Sequence, residues 1–177
     1  MALIRFDAKV IANAFRIKRG AQAAESNISV KQVACAIFDT AKNDSSGVAN
    51  TAIGAHGLGV FIPIGAVITD AWIDVKTSFT SAGTNAGTIA VKCEGAGDLV
   101  AALAISDASN IWNAGVRGTL VGMTALDGNS LTRIANAAAV AATLIKTTAE
   151  REITVTTAGQ VLTAGKMAIF VEYVIGL

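Results

Sequence analysis

The run from Val67 to Phe79 sets the tightest limit on the fold. Val67, Ala71, Ile73, Val75 and Phe79 fall on one side of an extended chain, and Ile68, Asp70, Trp72, Asp74 and Lys76 on the other. Period-two alternation with the charges kept to one side is what a half-buried strand needs; a helix, with a period of 3.6, would scatter it. Shorter runs repeat the pattern. Val33, Cys35 and Ile37 alternate with Ala34, Ala36 and Phe38. Ile89, Val91 and Cys93 form another set, as do Leu99, Ala101, Leu103 and Ile105, and Ile153, Val155 and Thr157. The chain closes with Met167, Ile169, Val171, Tyr173 and Ile175 against Ala168, Phe170, Glu172 and Val174. Between the runs lie turn-formers: KNDSSG (42–47), SAGTNAG (81–87), GAGD, Asp127-Gly128-Asn129 and TTAGQVLTAGK. Pro63 cannot donate to a ladder and marks a strand end. Residues 106–118 read as a long loop carrying Trp112, and 119–123 as a short strand. Residues 133–146 stay open between helix, favoured by alanine, and strand, favoured by Thr143-Leu144-Ile145. Short strands with no regular helix between them predict an all-β fold, an antiparallel β-sandwich or jelly roll, over residues 32–177.

Residues 1–31 read differently. Leu3, Phe6, Val10 and Ala14 recur at helical spacing, widened by Ile4, Ile11 and Phe15, with Arg5, Lys9, Asn13 and Arg16 mostly on the other side. A short amphipathic helix ending near Gly20 and an extended arm both fit, because a lone helix of this length is marginal in water. Arg5, Lys9, Arg16, Lys18, Arg19 and Lys31 against Asp7 and Glu25 give this segment +4, while the remaining residues carry −3. A basic arm on a mildly acidic body is expected to dock on an acidic surface, whether a neighbouring subunit, nucleic acid or anionic lipid; the plainer alternative is a solvated tail. The body lacks basic residues interleaved with aromatics, so only the arm could touch nucleic acid, and a protein partner is preferred. The interface candidates are therefore Leu3, Arg5, Phe6, Lys9, Val10, Ile11, Phe15, Arg16, Lys18 and Arg19, joined by Trp72, which shares a face with charges, and Trp112 in its loop.

Composition narrows the function. Hydrophobic residues make up 53% and charged residues only 15%, against about 25% charged in an average domain. That excludes disorder over the whole chain and suggests a subunit whose surface is partly covered by neighbours. Ser45 to Thr69 is long and uncharged but holds five glycines, Pro63, His56 and Asn50, so no membrane span is expected. Arg5, Asp7 and Lys9 interrupt any secretory core.

No catalytic chemistry is legible. His56, in GAHGLG, is the single histidine, no GxSxG elbow exists, and the glycines fit neither the dinucleotide fingerprint nor the P-loop. Asp70 and Asp74 would lie about 13 Å apart along a strand, wider than a glycosidase pair. One His and two distant Cys offer no zinc set; Cys35 and Cys93 are expected to be buried reduced thiols. No catalytic, cofactor or metal residue is assigned, and His56 is expected to be structural.

The runs HGLGVFIPIGAVITDAWIDVKTSFTSAGTNAGTIAV, DLVAALAISDASNIWNAG, IKTTAEREITVT and LTAGKMAIFVEYV are similar to a group of small structural proteins of tailed bacteriophages. The resemblance covers roughly residues 50–177 and rests on strand-and-turn features, not on catalytic signatures. It implies a virion structural protein, in the first instance a head decoration (cement) protein on the capsid surface, assembled in the host cytoplasm. Its partners would be the major capsid protein, or other virion subunits, and copies of itself in a homo-oligomer such as a trimer. The alternatives are a main shell, tail or fibre subunit, and a carbohydrate-binding sandwich using Trp72 or Trp112. The nine aromatic residues make the last the poorer fit.

Overall fold

The computed structural model describes residues 31–108, 110–119 and 145–175. Every regular element among them is a strand: β1 (Gln32–Asp39), β2 (Gly54–Ile62), β3 (Ala66–Ser81), β4 (Thr88–Lys92), β5 (Val100–Ala104), β6 (Arg117–Thr119), β7 (Arg151–Ala158) and β8 (Leu162–Ile175). They form two four-stranded antiparallel sheets, ordered β1-β8-β3-β6 and β2-β7-β4-β5. The chain changes sheet at every connection except β4 to β5, which is the strand order of a jelly roll. The sandwich reading of the sequence is therefore correct.

Pleat alternation places the core. Ala36, Phe38, Ile73, Val75, Met167, Ile169 and Val171 face inward from the first sheet. Ile62, Ile89, Val91, Ile153 and Val155 meet them from the second. Pro63 does end a strand, and residues 63–65 turn β2 into β3. Gly165, at φ +144°, lies against the Phe79 ring, which stacks on Phe38 with centroids 5.9 Å apart. An added Cβ there would fall on Phe79, so the site requires glycine.

Four expectations need correction. Strict alternation puts Ile68 with Asp70 and Trp72, but Ile68 is buried, because the β3–β8 register slips between Ile68 and Asp70. One extra residue in a strand reverses every side chain before it. LTAGK is not loop: β8 begins at Leu162. Cys35 is exposed, and only Cys93 is buried. Trp112 is 1% exposed, edge-on to Phe79 at 6.0 Å, and so belongs to the core. Its loop runs beside β3, where Phe79 N–H donates to the Trp112 carbonyl and Val75 N–H to that of Val116. Residues 1–30, 109, 120–144 and 176–177 lie outside the described residues. With them go the arm candidates Leu3, Arg5, Phe6, Lys9, Val10, Ile11, Phe15, Arg16, Lys18 and Arg19, and most of the helix-or-strand question at 133–146.

Candidate interaction surface

The outer face of the β1-β8-β3-β6 sheet carries an apolar row set by register. Cys35 stands opposite Phe170, and Phe170 opposite Trp72. Trp72 and Phe170 are partly buried and stack with ring centroids 5.2 Å apart and planes 8° from parallel. Offset or parallel pairing of this kind contributes roughly 0.5–1.5 kcal/mol beyond area burial. Val33 and Ile37, 53% and 48% exposed, flank Cys35 on the same side of β1.

Charges border the row and cancel. Lys31 Nζ donates to Glu172 Oε1 at 2.8 Å, Lys166 Nζ lies 3.0 Å from Asp39 Oδ2, and Lys76 and Arg117 both meet Asp74. The Lys31 hydrogen bond and then that of Thr69 hold the Glu172 carboxyl below its usual range. The Ala41 N–H and then Lys166 do the same for Asp39. Each of these carboxylates is matched by a cation.

The second sheet is finished differently. Outward positions of β7 and β4 are Glu152, Thr154, Thr156, Thr88, Ala90 and Lys92, small or polar throughout. Its edge strand β2 is covered by the loop joining it to β1. Ser45 N–H donates to the Gly57 carbonyl at 2.9 Å, and Glu152 Oε1 accepts from Gly59 N–H at 2.6 Å.

That loop is locked by the single histidine. His56 and Asp44 side chains are 1% and 2% exposed, with Nδ1 3.1 Å from Asp44 Oδ2. Nε2 lies 2.8 Å from the Ala52 carbonyl. Asp44 is held ionised, its pKa lowered to about 2 by the Ser46 hydroxyl first, then by the Val48 N–H and His56. The structural reading of His56 thus holds, and its partner is a loop aspartate whose place in KNDSSG marks only a turn. At another point Glu94, also brought to about 2, receives two bonds from Arg151 and two from Thr148. It pins residues ahead of β7 to those after β4. Among the described residues no cluster of three metal-ligating side chains occurs.

No protein-family model matches the chain, and no curated protein matches it. Chains of three phage capsid structures do match. For the cyanophage Pam1 capsid asymmetric unit, identity is 13% and the TM-score 0.51, over 91% of this chain and 99% of that one. For the acidic stable capsid of Helicobacter pylori bacteriophage KHP30 the values are 15%, 0.49, 82% and 88%. For the capsid of Ralstonia phage GP4 they are 21%, 0.45, 82% and 86%. The likeness to the Pam1 chain shows a common fold in polypeptides of nearly equal length.

Proposed function

We propose that this chain is a structural, non-enzymatic subunit of a phage virion, and within that class a decoration protein that bridges neighbouring subunits of the head shell. The observation that carries the reading is the fold shared with a chain of the Pam1 capsid asymmetric unit, over 91% of this chain and 99% of that one. The sequence resemblance over residues 50–177 points the same way. The body suits such a role. Two pinned loops stiffen it, and Val33 and Ile37 leave exposed apolar surface on β1. Binding that adds contacts across shell junctions favours the assembled state by mass action.

In this reading residues 1–31 form an arm separate from the body of residues 32–177. The arm docks through Leu3, Phe6, Val10, Ile11 and Phe15, with Arg5, Lys9, Arg16, Lys18 and Arg19 facing acidic groups of the major capsid protein. Trp72 contributes from the sheet face. Quantitative mass spectrometry and electron microscopy of purified particles are the test. A high, symmetry-related copy number on the outside of the head agrees with decoration. A copy number equal to that of the shell itself would assign the main shell instead, and absence from particles would end the virion reading. Deleting residues 2–30 should release the protein from heads while circular dichroism of the body is retained.

A further inference from the structure

Four strands end the two sheets, and three have their edges blunted. β6 is only three residues long. The β5 ladder slips register between Ile89 and Val91 of its partner. β2 is bulged between Gly57 and Phe61 and covered by Ser45. Strand β1 has none of these devices. It runs eight residues in unbroken register with β8, and it holds no proline, no glycine and no charge between Gln32 and Phe38. Such an edge is a template for another strand.

Its direction is readable. Thr40 N–H donates to the Gly165 carbonyl, continuing the β1–β8 register. Antiparallel residues alternate in the side to which they turn both backbone groups. The even-numbered residues of β1 therefore serve β8, and Val33, Cys35 and Ile37 turn N–H and C=O to the open side. Among the described residues nothing accepts or supplies those bonds.

The strand is also complementary to itself. We propose that two copies of this chain pair antiparallel along β1 about a twofold axis through Cys35, joining two four-stranded sheets into one of eight. In that register Val33 meets Ile37 of the second copy, Cys35 meets Cys35, and Ala34 meets Ala36. All three open-side residues become hydrogen-bonded pairs. At each end Lys31 faces Asp39 of the other copy. Because Lys31 already holds Glu172 and Asp39 already holds Lys166, the charges line up as Glu172, Lys31, Asp39, Lys166, alternating in sign across the junction. No shift by one residue keeps both the backbone parity and the apolar pairing. The contact is isologous and closes at two copies, which differs from the trimer expected from sequence. It holds whether or not the protein resides in a virion, so its failure and that of the decoration reading are separate events.

The test uses the purified full-length chain. Sedimentation velocity over a concentration series should show a monomer–dimer equilibrium. Hydrogen-bonded antiparallel pairs have Cα atoms about 5.5 Å apart, inside the disulfide range. Diamide, which takes two electrons and two protons from the paired thiols, should therefore give a covalent dimer on a non-reducing gel. Cys35→Ser should abolish that product, and Cys93→Ser should not, since burial pushes the Cys93 thiol up to about 12. Ile37→Lys and, separately, Val33→Lys should weaken dimerisation at least about tenfold, because each twofold contact loses the pair twice. Both positions are half exposed, and an unchanged thermal melt would show that each variant folds. A monomer at all concentrations overturns the proposal, and protection of Cys35 from maleimide in that monomer would assign the edge to the chain's own residues. An oligomer that ignores both lysine variants and forms no Cys35 cross-link overturns it equally.

Discussion

Strands β1 and β2 follow one another in the chain and end their sheets, yet they meet water in opposite ways. The β2 edge is bulged, rich in glycine and closed by a loop that a buried His56–Asp44 pair holds down. The β1 edge is straight, apolar on its outer side and open among the described residues. An open edge exposes unpaired backbone groups to other chains, and a protein on which three other edges are protected has the means to protect the fourth. The difference teaches that exposure at β1 serves contact, whereas the loop at β2 serves stiffness. The two tryptophans repeat the contrast: Trp112 is sealed in the core, and Trp72 lies half-covered on the face beside β1.

The largest effect should separate the tryptophans. Trp112→Ala is expected to cost about 4 kcal/mol in a denaturant melt, a cavity penalty for a fully buried ring. Gly165→Ala comes next, at about 3 kcal/mol, because its Cβ falls on Phe79 at a backbone angle that side chains avoid. If that variant melts like the parent, the close packing at the foot of the β1–β8 ladder is wrong.

His56→Ala should cost about 2–3 kcal/mol, by removing a buried ring and both of its bonds. It should also raise hydrogen exchange at Ser45, whose N–H donates to the Gly57 carbonyl, while leaving β1 unchanged. Equal deprotection of both edges would break the comparison. Acid attacks the same lock. Asp44 and Glu94 both have folded pKa values of about 2, below their ordinary 3.8 and 4.5. A depressed carboxylate contributes stability that is complete above its unfolded pKa and is lost as pH falls through the folded one. The melting temperature should therefore hold above about pH 5 and drop between about pH 4.5 and 2. Asp44→Asn should flatten part of that drop; a parent profile that stays level to pH 2 would contradict both assignments.

The smallest effects belong to the open side. Trp72→Ala should cost about 1 kcal/mol, the worth of its stack on Phe170 with little burial lost. Ile37→Lys should change the stability of the fold by no more than about 0.5 kcal/mol, the ordinary range for a surface site. A large loss of stability at Ile37 would mean that the β1 face is already covered within one chain.

Much of the body is legible in the sequence, because pleat alternation is local. Ile73, Val75, Ile153, Val155, Met167, Ile169 and Val171 declare their faces through their neighbours' chemistry, and Pro63 ends its strand by lacking a donor. Where both sides of a run are apolar the signal fails. In β1 nothing in VACAIF says whether Cys35 or Phe38 points inward, so the expectation of a buried Cys35 is wrong. Ile68 escapes the pattern because a bulge leaves no residue-type mark here. Trp112 escapes it because loops have no period, and burial of a loop side chain depends on what the loop crosses.

Sequence alone thus determined the class of fold, the number of apolar faces and the places where the chain must turn, since each follows from steric and hydrogen-bonding rules acting over a few residues. Only the tertiary structure decided that β1 lies at an edge, that Asp44 reaches His56, and that Cys35, Phe170 and Trp72 share one row. Those are pairings between residues far apart in the chain, chosen by the energy of closing the whole sandwich and not by any single segment's preference.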